Sequence, residues 1–239
     1  MFSPVEHAYL FACLARAAIQ LAGETAGSAA ARRGVRLYGE QRGRRMALRV
    51  QADGRPLSML NFLIYSEWQA APGENESVMV EFVPDARSSV RRCVWNSTWR
   101  ENGLLPYGRL YCLEIDSALL RGYNPDLRLS VNRTLSNQDE PCDFIYAGAE
   151  LTQENLERLQ YGKRSDPGPR ARMSWEYHTG HLYQTLRGVF LTDLLDSGSA
   201  AVSALDAFSE RFGQPAAEVV RSHAAVNFDQ ITFGVNTRF

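Results

Sequence analysis

The chain has 239 residues, 45 % of them hydrophobic and 22 % charged, and its 26 basic and 27 acidic side chains leave a formal net charge of −1. A chain of this length buries roughly 70 % of the surface its unfolded form exposes, so a core forms without disulfides or metal and one domain is the default. The balanced charge argues against a dedicated nucleic-acid binder, and the absence of a run of about 20 apolar residues argues against a membrane span.

Tyr9, Leu10, Cys13, Leu14, Ala17, Ala18 and Leu21 recur at helical spacing, which predicts a first amphipathic helix, broken near Gly23. Its apolar stretch does not read as a signal peptide, because Arg16 and Gln20 interrupt it and no basic region precedes it. A second helix is predicted from Ser28 to Ala52, with Val35, Tyr38, Met46 and Val50 inward, Gly54 as the stop and seven arginines on its outer surface. A third runs from Pro56, a good first-turn residue, through Asn61, Tyr65 and Trp68.

The middle of the chain changes period. Val78, Val80 and Phe82 alternate as in a strand, with Val90 to Trp95 as the expected partner. Tyr107 to Arg121 returns to helical spacing, Leu127 to Val131 alternates again, and Cys142 to Ala147 reads as a further strand. Helices follow at Leu151 to Tyr161, Trp175 to Leu195, Ala200 to Phe212 and Ala216 to Asn227, and the segment 162–172, rich in proline, glycine and charge, reads as a mobile surface loop. Short strands without βαβ alternation point to an α+β fold: one domain over residues 1–239, with helices on a small antiparallel sheet and a helical C-terminal part.

Two groups of residues could carry chemistry. Cys112 and Asp116, four apart on a predicted helix, would share a face and could orient a nucleophile, whereas the plain alternative is a buried thiol and a carboxylate paired with Arg109 or Arg121. His178 and His181 would share a helical face and could act as acid and base, or pack at an interface; His7 and His223 lack comparable company. The spacing fixes no third metal ligand, so metal-free chemistry without a cofactor is expected. One or two arginines of the second helix could clamp a carboxylate, the others being solvated. The four cysteines lie far apart without CxxC spacing, which suits a reducing cytoplasm. Lys163 is the single lysine, and no function follows from that. No GxGxxG, P-loop or GxSxG motif is present.

Four segments taken together resemble the L-2-amino-thiazoline-4-carboxylic acid hydrolase family: Tyr38 to Ala47 (YGEQRGRRMA), Asn61 to Trp68 ending in YSEW, Tyr111 to Asp116 (YCLEID) with Gly122-Tyr-Asn-Pro125, and Tyr177 to Tyr183 (YHTGHLY). Residues 135–144, with Cys-Asp-Phe, are also similar to 4-vinyl-reductase-type ligand-binding domains, which set helices against an antiparallel sheet. Ser66 stands where relatives are expected to carry glycine, and Asn137 to Glu140 replaces a glycine–aspartate turn. The resemblance implies hydrolytic opening of a cyclic isothiourea carboxylate to an N-carbamoyl cysteine. It implies Cys112 as covalent nucleophile or His178 or His181 as base for water, with Asp116 as orienter. Tyr38, Arg42, Arg45, Glu67, Cys142 and Tyr183 are the expected substrate-binding residues. The partner expected is a small carboxylate, with neither nucleic acid nor membrane. A non-catalytic ligand-binding module, and an assembly protein using the arginine-rich and C-terminal helices as a homo-oligomer interface, are the alternatives.

Overall fold

The computed structural model describes residues 1–195 and 198–228. Its longest element, α1 (Pro4–Ala52), is two helical arms, because Gly23 takes φ 79° and ψ 167° inside it. That positive φ strongly favours glycine and breaks the helix where the periodicity places its end. The arms fold back on each other: Gly27 lies against the backbone of Ala18 and Ile19, and the Tyr38 hydroxyl meets His7. Ser3 and Glu6 form a capping box at the start. Around this hairpin pack α3 (Val94–Glu101), α4 (Leu105–Cys112), α5 (Ile115–Tyr123), α8 (Trp175–Asp193) and α9 (Ser199–Phe212), burying Leu10, Phe11, Leu14, Trp99, Leu186 and Phe208 in one core.

Glycine brings α1 and α5 to backbone contact. A Cβ on Gly43 would lie 2.1 Å from the Leu119 carbonyl oxygen, and one on Gly122 would lie 2.2 Å from that of Glu40. This approach places Arg42 of α1 beside the first turn of α5, where Asp116 stands.

The sheet has four antiparallel strands, β1 (Glu76–Glu81), β2 (Ala86–Arg92), β3 (Leu129–Arg133) and β4 (Cys142–Tyr146), in the order β1-β2-β4-β3. Register sets Val90 opposite Cys142, Ser88 opposite Phe144 and Ala86 opposite Tyr146, so these six share one face. Met79, Leu129 and Tyr146 of that face touch the second core cluster, built on Met46, Val50, Phe62 and Leu120. Yet Val90, Leu129, Val131, Phe144 and Tyr146 are only half-buried. Helices and sheet therefore do not close fully against one another.

The α+β class holds, but several boundaries move. The strand expected over Val90 to Trp95 runs from Ala86 to Arg92, and Val94 and Trp95 open α3. The helix expected from Pro56 to Trp68 shrinks to α2 (Met59–Ile64), capped by the Ser58 side chain. The single helix expected over Tyr107 to Arg121 is two, α4 and α5, so Cys112 and Asp116 do not share a helix face. The loop expected over 162–172 is largely helical: α6 (Gln153–Arg164) extends into it and α7 (Gly168–Ala171) follows. Gly162 makes this packing feasible, since a Cβ there would lie 2.8 Å from Ile64. The last helix, α10 (Gln214–Ser222), ends in a short 3-10 turn at His223–Ala225.

Candidate active site

Arg42, Arg45 and Arg49 stand at spacings of three and four on α1, hence on one face, and that face is buried. All three converge on Glu67, which is 0 % exposed. Arg42 Nε donates to Oε2 at 3.2 Å, Arg45 Nε to Oε1 at 3.1 Å and Nη2 to Oε2 at 3.0 Å, and Arg49 Nη1 to Oε1 at 2.6 Å. Burial alone would raise the Glu67 carboxyl, but Arg45, Arg49 and Arg42 outweigh it and hold it well below the usual carboxylate range. Among the described residues, one negative charge against three guanidinium groups leaves the cluster electropositive. Arg42 Nη2, buried and without a hydrogen-bond partner among the described residues, is an open donor. The expectation that all seven arginines lie on the outer surface is corrected for three of them: Arg42, Arg45 and Arg49 are buried, while Arg32, Arg33 and Arg36 stay at the surface, the first and last paired with Glu114 and Arg33 with Asp193.

Both histidines of α8 attach to this cluster. His178 Nε2 lies 3.1 Å from the Glu67 carbonyl oxygen and must donate to it, so Nδ1 carries the lone pair, buried and without a partner among the described residues. His181 Nδ1 accepts from Arg45 at 3.4 Å, and Nε2 donates to Gln41 Oε1 at 2.8 Å. Its ring stacks on Phe228, with centroids 4.3 Å apart. Burial, then Arg42, pushes His178 down to about 3; burial, then Arg45, pushes His181 well below its usual value. Both rings are neutral at physiological pH.

His7, given no role by its sequence neighbourhood, is fully buried among aromatic rings: Tyr111 and Trp175 at 5.6 Å, Tyr38 at 5.7 Å and Trp95 at 6.1 Å between centroids. Trp95 Nε1 donates to Nδ1 at 3.3 Å, which makes Nε2 the donor to the Tyr38 hydroxyl at 3.0 Å. Tyr38 thus accepts from His7, and its own hydroxyl hydrogen remains available to a further acceptor.

The other end of the site centres on Asp116. Its carboxyl is half-buried and pushed up to about 6 by burial, with Arg42 opposing the shift. Its charge in turn helps to raise the pKa values of Cys93, Tyr111, Cys112, Cys142 and Tyr146, so it sits among groups from α3, α4 and the sheet. Burial, then Cys93, holds Cys112 well above the usual thiol range, so it rests as the thiol. Cys142 accepts from the Leu135 N–H at 3.1 Å. The helix break between Cys112 and Asp116 does not part them, since the Asp116 charge still acts on the thiol. Arg42 links the two ends: it bonds Glu67 and lowers the pKa of Asp116. Arg121, one of the expected partners of Asp116, pairs with Glu40 instead.

Tyr183 does not join this group. It lies on another face of α8, where Arg187, Arg221 and Asp206 are its charged neighbours. The sequence reading missed His7, Gln41, Arg49, Tyr111 and the three tryptophans Trp68, Trp95 and Trp175, whose rings lie 5.1 to 6.0 Å apart. Two of these carried a signal. Arg49 continues the spacing of Arg42 and Arg45, and His7 sits at i−3 and i−4 to Leu10 and Phe11 on the buried stripe. Among the described residues no three His, Cys, Asp or Glu side chains are grouped so as to hold a metal ion, and no helix is long and apolar enough to cross a membrane.

Comparison with curated proteins found no match, and comparison with solved structures found none either. The family model described as L-2-amino-thiazoline-4-carboxylic acid hydrolase matches residues 4–146. That span runs from α1 through β4 and holds Tyr38, Arg42, Arg45, Glu67, Cys112, Asp116 and Cys142, though not the α8 histidines. With more than half its length matched, the chain belongs to the L-2-amino-thiazoline-4-carboxylic acid hydrolase family.

Proposed function

We propose that the protein opens the ring of a small cyclic isothiourea or amidine carboxylate by hydrolysis, with L-2-amino-thiazoline-4-carboxylate the substrate to test first and N-carbamoyl-L-cysteine its product. Such a substrate is an anion at one end and a protonated amidine at the other. Arg42, with an open buried donor, suits the carboxylate, and Asp116 suits the amidinium. The observation that carries the reading is a guanidinium nitrogen without a partner among the described residues beside a half-buried carboxyl pushed up to about 6.

Asp116 is the group best matched to general-base work, since a base with a pKa near the operating pH is both ionised and strong enough to take a proton. Water gives a proton to Asp116 as its oxygen bonds to the ring carbon between sulfur and the two nitrogens. The Tyr38 hydroxyl is a donor for the tetrahedral intermediate. The carbon–sulfur bond then breaks, its electron pair leaves on sulfur, the proton held by Asp116 passes to that thiolate, and the hydroxyl proton passes to the regenerated Asp116 carboxylate as the carbonyl forms, and from there to solvent. Cys112, resting as a protonated thiol, is assigned to the wall of the site and not to the attacking group. His178 and His181, neutral and bonded to Glu67, Arg45 and Gln41, hold the arginine cluster in place.

Thiol release, followed colorimetrically, with the product identified by mass spectrometry, tests this. Wild type is expected to release one thiol per substrate, and Cys112→Ser to retain activity within about tenfold of it. Loss of all turnover in Cys112→Ser, with binding intact, would move the nucleophile to that cysteine. Folded wild type that binds the thiazoline without releasing thiol would favour a ligand-binding module.

A further inference from the structure

Away from Asp116, a groove of about 460 Å³ opens between the Ser66 to Asn75 segment, the end of α6 and the residues after α7. This is within the range of small-molecule sites. Among the described residues its charged lining is Lys163, Arg164 and Arg172, and its polar lining includes Ser66, Asn75 and Gln160. Among the described residues none of the three cations has a carboxylate within ion-pair distance; Arg172 donates only to the Lys163 carbonyl oxygen, at 2.7 Å. Lys163 and Arg164 also complement the C-terminal dipole of α6, which accounts for two cations in its last turn. It does not account for Arg172, which joins them from beyond α7. Burial, then the charge of Arg172, lowers the pKa of Lys163.

The walls are built closely. A Cβ on Gly162 would strike Ile64, and one on Gly168 would lie 2.5 Å from the Lys163 carbonyl oxygen, so glycine lets α2, α6 and α7 converge here. Trp68, half-buried, forms one side, and its ring also meets Trp95 and Trp175 beside His7. Along three consecutive residues Ser66 and Trp68 line the groove while Glu67 enters the arginine cluster.

We propose that this groove binds a compact polyanion, bearing phosphate or several carboxylates, as a second ligand site separate from the residues around Asp116. The three cations supply the charge, and the side-chain amides of Asn75 and Gln160 supply neutral N–H donors, the Ser66 hydroxyl donating to the Trp68 carbonyl oxygen at 3.3 Å. The site does not depend on the hydrolase reading.

Isothermal titration of the full chain with pyrophosphate, with citrate and with acetate, at fixed ionic strength, tests it. Saturable one-to-one binding of pyrophosphate or citrate is expected, and the tighter of the two identifies phosphate or carboxylate as the preferred group. Acetate should bind at least about tenfold more weakly. The double variant Lys163→Gln/Arg172→Gln should weaken polyanion binding at least about tenfold. Gln160→Glu, which adds a negative charge at nearly constant size, should weaken it too. Arg100→Gln/Arg187→Gln, which removes two exposed charges outside the groove, should not. Absence of saturable binding by both polyanions, acetate binding as tight as citrate, or unchanged affinity in the groove variants would overturn the proposal.

Discussion

Glu67 and Asp116 are two carboxylates on either side of one arginine, and their environments drive them in opposite directions. Glu67 is fully buried, takes four hydrogen bonds from three guanidinium groups and is held well below the ordinary carboxylate range. Asp116 is half-buried, has Arg42 as the cation opposing its shift, and rises to about 6. The charges of three guanidinium groups outweigh desolvation at the first, and the charge of Arg42 does not at the second. A carboxylate saturated with donors serves as a fixed anchor, whereas an under-compensated one is available to bind a cation or take a proton. Arg42 belongs to both, so the anchor positions the reactive end.

This contrast is open to direct attack. Glu67→Gln should have the largest effect: removing the charge leaves three buried guanidinium groups without their anion, at a cost of about 3–5 kcal/mol. Thermal unfolding followed by circular dichroism should show a fall of roughly 10 °C. A fall within about 2 °C would mean that the cluster is no anchor.

Asp116→Asn should go the other way. The folded-state pKa of Asp116 lies above the value of about 3.9 of an unfolded aspartate. Below the unfolded value the group is protonated in both states and costs nothing. As pH rises through about 6 the ionised form is disfavoured in the fold, and the stability contributed by the protonated carboxyl is lost. The variant should therefore melt a few degrees higher than wild type at pH 7.5 and equal to it near pH 4, by the same thermal measurement. An equal or lower melting temperature at pH 7.5 would contradict the reading of Asp116 as under-compensated. Tyr183→Phe should have the smallest effect, with kcat/KM for thiol release changed by less than about twofold, since Tyr183 faces Asp206 and Arg221.

Much of this arrangement was legible in the sequence. The Gly23 break, the strand character of β1, β3 and β4 and the inward position of Tyr38 follow from period and from the conformational freedom of glycine, although Val78, Val80 and Phe82 of the first alternation are exposed. The split between α4 and α5 was not, because Leu113 and Glu114 are neither glycine nor proline and leave the apolar spacing unbroken. Treating seven arginines as one surface hid a spacing that already separates Arg42, Arg45 and Arg49 from their neighbours. Their convergence on Glu67, 18 to 25 residues away, is tertiary, and no local pattern encodes it. His178 and His181 were correctly placed on a helix, but their partners Glu67, Gln41 and Arg45 come from distant segments. Those partners, more than the spacing of the histidines, decide that both rings are neutral.

The claim that Asp116 is the base is tested most directly by the pH dependence of kcat/KM for thiol release from L-2-amino-thiazoline-4-carboxylate, compared between wild type and Asp116→Asn. The account predicts an ascending limb near pH 6 in wild type, and in the variant a loss of about 10²-fold or more with that limb absent. A variant within about threefold of wild type, or one that keeps the same limb, would contradict it.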